Sequence, residues 1–347
     1  MRPTFSIIFF TVVSGAGYGL WFLIGLGLAF YWPTCGARGQ PDASGFSLRL
    51  CVYPGLIDYG LALGFVLTTA GLLSSLAHLG KPQRAWRALS QWRSSWLSRE
   101  GVAALLTYVP VFGIVASGLL SWWQLKNYSP VSQPDLWVDT RVAYPVFGAL
   151  LAVGAMLTVI CTAHIYSSLK PIRAWCNRFV VAGYLLLGLY SGALLSWALA
   201  TLPPASVRRE TPALLAGLVV LALICAALKY FYWRDVDRSP PIDVGHATGL
   251  DAQGTVRSFE QPHTEENYLT HEMGFVLARK HAAELRTIAL ISGFALPAIL
   301  AIFGIVVPVA RPAAAWCALV FGFAGIFVER WLFFAEARHA VIAFYDR

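Results

Sequence analysis

An all-α, polytopic integral membrane protein with eight transmembrane helices and both termini in the cytoplasm is the fold class that this sequence predicts. Three observations carry that prediction. Apolar residues make up 57% of the 347 and charged residues only 13%, about half the roughly 25% of an ordinary soluble domain. Eight segments reach the length of about 20 mostly apolar residues that a hydrocarbon core roughly 30 Å thick demands. Lys and Arg fall unevenly between alternate connections, which gives the bundle a direction. The 13 Trp, 14 Tyr and 21 Phe suit a protein that meets lipid and headgroups.

Taken in order, the spans are about 5–31, 55–78, 102–123, 142–166, 179–200, 212–233, 287–308 and 313–334, all within one membrane domain. The first is about twice the 7–15 apolar residues of a signal-peptide core, so it reads as a span and not a cleaved leader. Gly15 and Gly19 in the first span, and Gly188 and Gly192 in the fifth, stand four apart. That spacing of small residues lets helix backbones approach closely in lipid, where packing by shape replaces the hydrophobic drive. The connection 234–285 is the one sizeable polar piece. Its first half is rich in Pro, Gly and charge and too poor in apolar residues to build a core. Its second half places Tyr268, Leu269, Met273, Val276 and Leu277 at helical spacing, which predicts an amphipathic helix lying on the membrane surface or against a partner.

Orientation follows from the charges. One alternate set of connections and termini holds 19 of the 26 Lys and Arg and the other holds 7. Leaving out the long sixth connection, the split is still 12 to 7. The positive-inside tendency therefore places the even-numbered connections and both termini in the cytoplasm.

The second connection concentrates this charge. “HLGKPQRAWRALSQWRSSWLSREG”, residues 78–101, carries Lys81, Arg84, Arg87, Arg93 and Arg99 and ends on Glu100. The basic residues hold a cytoplasmic loop in place and suit either anionic headgroups or the acidic face of a partner protein. Trp86, Trp92 and Trp96 read mainly as interface anchors. Glu100 is different, because a carboxylate at the start of a span is costly unless it is paired, hydrated or protonated. The alternative is a hydrated glutamate at a helix N-terminus, favoured by the dipole. At the same membrane level stand His78, ending the second span, His164, ending the fourth, and Glu329 with Arg330 near the end of the eighth. Each alone reads first as a helix-end polar group and only second as a ligand. Their convergence suits a redox cofactor that takes up protons, such as a quinone, whose carbonyl oxygens need hydrogen-bond donors and a proton route to water. The predicted site is Glu100, His78, Arg99 and Trp96, with His164 at its edge. A bis-histidine haem would have to use His78 and His164, neither deep in the hydrocarbon, and no haem is expected. The six Cys contain no C-x-x-C, which argues against a zinc or iron–sulfur site on this polypeptide; Walker and protease motifs are absent.

The segment “AHLGKPQRAWRALSQWRSSWLSREG” resembles the His-Leu-Gly-x-Pro…Arg-Ala…Ser-x-Glu pattern of the dimethyl sulfoxide reductase anchor subunit family, and the eight spans are similar to that family along essentially the whole chain. “FAGIFVERWLFF” is similar to its Gly-Glu-x-x-Gly-Arg-x-x-Phe segment, with Ile326 in place of the glutamate. The resemblance implies a haem-free subunit in a bacterial cytoplasmic (inner) membrane. Such a subunit anchors a molybdopterin catalytic subunit and an iron–sulfur subunit and exchanges electrons with quinone, either ubiquinone or menaquinone. It also implies that the positions of Glu100 and His78 belong to the quinone site. “RAWRALSQWRSSWLSREG” and the 262–286 segment look more like the sulfite dehydrogenase branch of the family. That branch implies partner subunits on the cytoplasmic side and electrons from sulfite oxidation. A quinol-oxidising anchor of the sulfoxide reductase kind is the alternative, and a transporter or passive scaffold is a third reading. On this reading Lys81, Arg84, Arg87, Arg93 and Lys280 dock the iron–sulfur partner.

The first connection holds Cys35 and Cys51 with fifteen residues between them. On the assigned topology it lies in an oxidising periplasm, where a disulfide closing a loop of that size contributes about 3 kcal/mol. A Cys35–Cys51 disulfide is expected.

Overall fold

The computed structural model describes residues 4–30, 54–77, 81–127, 140–202, 211–238, 244–250, 252, 254, 256, 259–260 and 280–344. Eight helices among them are long and apolar enough to cross a membrane. They are α1, Phe5–Phe30; α2, Pro54–Leu76; α3, Trp96–Asn127; α4, Thr140–Ser167; α5, Phe179–Ala200; and α6, Thr211–Arg238. The last two are α7, Ala282–Val306, and α8, Arg311–Ala335. His78, Cys35, Cys51 and the predicted amphipathic stretch as far as residue 279 lie outside the described residues. The four described cysteines, Cys161, Cys176, Cys225 and Cys317, are free thiols.

The protein folds as two sets of four helices. Within the first set α1 packs on α2 and α4, and α3 lies mainly along α4; within the second, α5 packs on α6 and α8, and α7 on α6 and α8. The sets meet where α1 lies against α5 and α8 and where α4 lies against α5. The glycines explain why α1 can sit at the centre. A methyl group on Gly19 would run into the carbonyl of Gly188, and one on Gly192 would run into the backbone of Gly19 and Leu20. The two small-residue pairs predicted from spacing are thus two sides of one helix crossing. A third contact of this kind joins α1 to α4, where Gly25 faces Gly148 and Ala152.

On α2, Gly64 leaves room for the Trp21 indole, whose Nε1 donates to the Leu61 carbonyl at 3.2 Å. The ring then meets Tyr108 edge-on at 5.4 Å. Outward faces carry Leu105, Leu106, Val109, Phe112 and Leu119 on α3, and Val220, Leu223 and Ile224 on α6, all exposed. Apolar stripes of this kind are what lipid contact requires. In α7 a π-turn at Ile291–Ala295 interrupts the regular helix. There Gly293 lies against Gly325 of α8 and its carbonyl accepts a bond from Tyr190 at 2.8 Å.

Several helices extend past their predicted ends. Hydropathy stops at the first charged residue, whereas a helix continues while its carbonyls find partners. At one end, Arg286 of α7 bonds Asp237 of α6 at 2.7 Å and Glu336, just beyond α8, at 3.0 Å. Burial raises the Glu336 carboxyl above the ordinary carboxylate range, and its bond to Arg286 opposes that rise. Residues 282–286 therefore form the start of α7 itself, which is capped at His281. A short helix, Val244–Thr248, packs near the 3₁₀ turn Ala340–Phe344 at this same end.

Candidate quinone-side site and a buried ion cluster

The connection between α2 and α3 is a 3₁₀ helix, Pro82–Gln91, that folds back onto the start of α3. Arg99 fastens it: Nε donates to the Trp92 carbonyl at 3.0 Å and Nη2 to that of Arg93 at 2.7 Å. Because of this fastening, α3 begins at Trp96, nearly two turns before the predicted span. Glu100 consequently lies inside the helix and not at its mouth.

Its side chain is buried, only 5% exposed, and accepts the Thr162 hydroxyl of α4 at its Oε1. A hydrated helix-end glutamate is not what the structure shows. Thr162 Oγ1 also lies 3.1 Å from the Thr158 carbonyl. One hydroxyl has one hydrogen, and the carboxylate is the stronger acceptor. Below it Thr158 and Thr107 approach at 3.2 Å, which continues a polar seam between α3 and α4.

Three of the other predicted site residues form a stack beside this carboxylate. The Trp96 indole lies on the His164 imidazole with ring centres 4.4 Å apart, and the Arg99 guanidinium covers the Trp96 ring at 4.3 Å. His164 Nδ1 is 2.9 Å from the Ile160 carbonyl. A carbonyl can only accept, so Nδ1 carries the proton of the neutral ring and Nε2 is left to bond a ligand or water. The structure therefore gathers Glu100, Arg99, Trp96 and His164. Trp96 departs from the lipid-anchor reading, since it packs inward on His164.

The docking candidates behave differently. Lys81, Arg84, Arg87, Arg93 and Lys280 are all exposed, as are Trp86 and Trp92. Arg87 and Arg93 lie near the faces of Trp86 and Trp92, at 5.5 and 5.4 Å. The loop thus presents cationic and aromatic groups outward.

A second cluster joins Glu329 and Arg330, which the sequence places at the same membrane level as Glu100, to Lys229, which the charge count grouped with the sixth connection. Glu329 and Arg330 of α8 are buried, and so is Lys229 of α6, at 1%, 3% and 3% exposure. Lys229 Nζ pairs with Glu329 Oε1, and Arg330 Nε pairs with Glu329 Oε2 at 2.7 Å. Aromatic rings enclose both cations: Tyr232 lies 4.4 Å from Lys229 Nζ, and Tyr184 lies 4.3 Å from the Arg330 guanidinium. The signal was present in the sequence, because Lys229 falls inside the predicted span 212–233 and an ionisable residue there is a functional candidate by default. Counting it with the cytoplasmic connection passed over that. Leaving it out does not change which set of connections holds more charge. Thr162 was also missed; a lone threonine near a helix end carries no signal of its own.

Between the two clusters lies a cavity of about 20 Å³ at the junction of α1, α4, α5 and α8. Ile326, which stands where the segment pattern of the resembled family has glutamate, lines it, and the carboxylate of α8 stands one turn later at Glu329.

Comparison with known proteins matches this sequence along its length. The protein is 30% identical to the C subunit of sulfite dehydrogenase from Allochromatium vinosum over 349 aligned positions, covering 100% of this sequence and 99% of that one. It is 29% identical to the C subunit of the anaerobic dimethyl sulfoxide reductase from Escherichia coli, over 47% of this sequence and 51% of that one. No solved structure gives a match. A family model for the DMSO reductase anchor subunit (DmsC) matches residues 1–335, and the protein belongs to that family.

Proposed function

We propose that this anchor subunit passes electrons between an iron–sulfur partner subunit and the membrane quinone pool, with the electrons coming from sulfite oxidised on a molybdopterin partner in the cytoplasm. The observation that carries the proposal is the buried Glu100 carboxylate, held by Thr162 beside the Arg99–Trp96–His164 stack. A quinone bound there would supply two-electron, two-proton chemistry, and these side chains match what it needs. The Arg99 guanidinium can donate to a carbonyl oxygen, His164 Nε2 can accept from a quinol hydroxyl, the Trp96 and His164 rings offer flat faces to a ring, and Glu100 can hold a proton at Oε2. Thr162 fixes the position of that carboxylate. The neighbouring cavity of about 20 Å³ takes a water and not a ring, so the quinone belongs on the outer side of the stack.

The sulfite assignment is supported by full-length similarity to the C subunit of a sulfite dehydrogenase. The cytoplasmic termini and the cytoplasmic position of the partners are supported by the charge asymmetry. Exposure of the basic loop fits a docking role for Lys81, Arg84, Arg87, Arg93 and Lys280.

The test is to purify the complex through this subunit and to measure metals and turnover. Molybdenum and iron should copurify, and sulfite should reduce short-chain ubiquinone or menaquinone analogues. Amine-reactive cross-links from Lys81 and Lys280 should enter the iron–sulfur subunit. Quinol-dependent sulfoxide reduction, or cross-links confined to other copies of this anchor, would overturn the assignment.

A further inference from the structure

The cavity between the two sets of helices is small, and polar groups reach into it among apolar ones. Thr11, Tyr18, Thr162, Tyr184, Ser191 and Arg330 are among its lining residues. Its volume of about 20 Å³ exceeds the roughly 10–15 Å³ that one water needs. The Tyr18 hydroxyl, the Tyr184 hydroxyl and Arg330 Nη1 are buried without a hydrogen bond of good geometry among the described residues. Thr158 lies near the first, and the other two lie near each other. Buried polar groups in native proteins are satisfied by protein or by ordered water. Such a water wants two to four partners, which is what these groups offer.

We propose that this cavity binds an ordered water that completes a series of aligned donors from the Lys229–Glu329–Arg330 cluster to Glu100. Arg330 gives an N–H to the water, and the water gives an O–H to Thr162 Oγ1. Thr162 has already committed its own hydrogen to Glu100 Oε1. The second hydrogen of the water goes to one of the tyrosine oxygens. Every donor in the series points toward the carboxylate. The protonation of Glu100 is thereby tied to a fixed cation on the far side of the cavity, and Thr162, Tyr184 and Arg330 act as positioning residues. The titratable groups facing Glu100 are Tyr18 of α1, Cys161 and Tyr166 of α4 and Tyr184 of α5, with Arg99 beside it in sequence.

The inference rests on the quinone reading of Glu100, and the test separates the two. Thr162→Val keeps the shape and removes the hydroxyl, whereas Thr162→Ser keeps the hydroxyl. In the assembled complex, Thr162→Val should move the pH profile of quinone-linked turnover by about one unit toward higher pH, because the carboxylate loses donors that favour its charged form. Thr162→Ser should keep the profile of the unchanged protein. Tyr184→Phe, which leaves packing nearly intact, should move it in the same direction by less. A cryo-EM map that resolves waters should show density within bonding distance of Arg330, Tyr184 and Thr162. If Thr162→Val and Tyr184→Phe leave the profile unmoved while Glu100→Gln abolishes quinone-linked turnover, the water-linked series is wrong and the quinone site stands. If Glu100→Gln retains full turnover, the quinone reading fails and this inference falls with it. An empty cavity in such a map would overturn the proposal directly.

Discussion

Glu329→Gln should destabilise the protein by about 3–5 kcal/mol, whereas Lys229→Met should cost at most about 1.5 kcal/mol. The asymmetry follows from charge. Lys229 and Arg330 are buried cations that share one carboxylate. Removing the carboxylate leaves two like charges, both at 3% exposure, with no counter-ion from this cluster. Removing the lysine leaves Arg330 and Glu329 as a neutral pair, and methionine fills similar space among Tyr232, Trp233 and Phe333. Thermal unfolding midpoints of the purified complex, with membrane abundance alongside, measure the difference. Equal damage from the two substitutions would show that Glu329 is not the group that neutralises the cluster.

Gly19→Ala should prevent the α1–α5 crossing from closing, while Gly15→Ala, one turn away in the same motif, should be tolerated. A methyl group on Gly19 meets the Gly188 carbonyl, which is backbone and has no rotamer to move aside. At Gly15 nothing lies within 4 Å. Overpacking of this kind costs about 1–3 kcal/mol, and more where a helix pair must separate. The readout is the yield and unfolding midpoint of the complex for each variant. Two glycines that tolerate alanine equally would contradict the crossing.

These two cases show what was legible in the sequence. The pairs Gly15–Gly19 and Gly188–Gly192 could be read as packing sites because their spacing is local. That Gly19, Gly188 and Gly192 meet each other, with Gly15 at the margin, depends on how α1 and α5 are rotated, and periodicity does not report that. Hydropathy located all eight spans, since each must satisfy its backbone and match the bilayer without reference to its neighbours. Their ends were less legible. α3 starts at Trp96 because Arg99 holds the preceding loop through two carbonyls, a contact between charged residues that hydropathy counts as loop.

The same contact decided how Glu100 was read. At a span boundary a carboxylate is hydrated; one turn deeper, facing α4, it needs Thr162. Trp96, Arg99 and His164 were legible as neighbours in level, and their mutual stacking came from the structure. Lys229 was the clearest miss, because its partner Glu329 is 100 residues away and only the packing of α6 on the second set joins them.

Measuring quinone-linked and dye-linked sulfite oxidation side by side in a Glu100→Gln complex tests the proposed role of Glu100 most directly. Glutamine keeps the size of the side chain and can still accept the Thr162 hydroxyl, but it cannot hold or release the proton. Dye reduction draws electrons from the catalytic partner without passing through the membrane anchor. Quinone-linked turnover is expected to fall by about 100-fold or more, the scale of a lost general acid or base, while dye-linked turnover persists. Quinone-linked turnover that matches the unsubstituted complex would contradict a proton-handling Glu100.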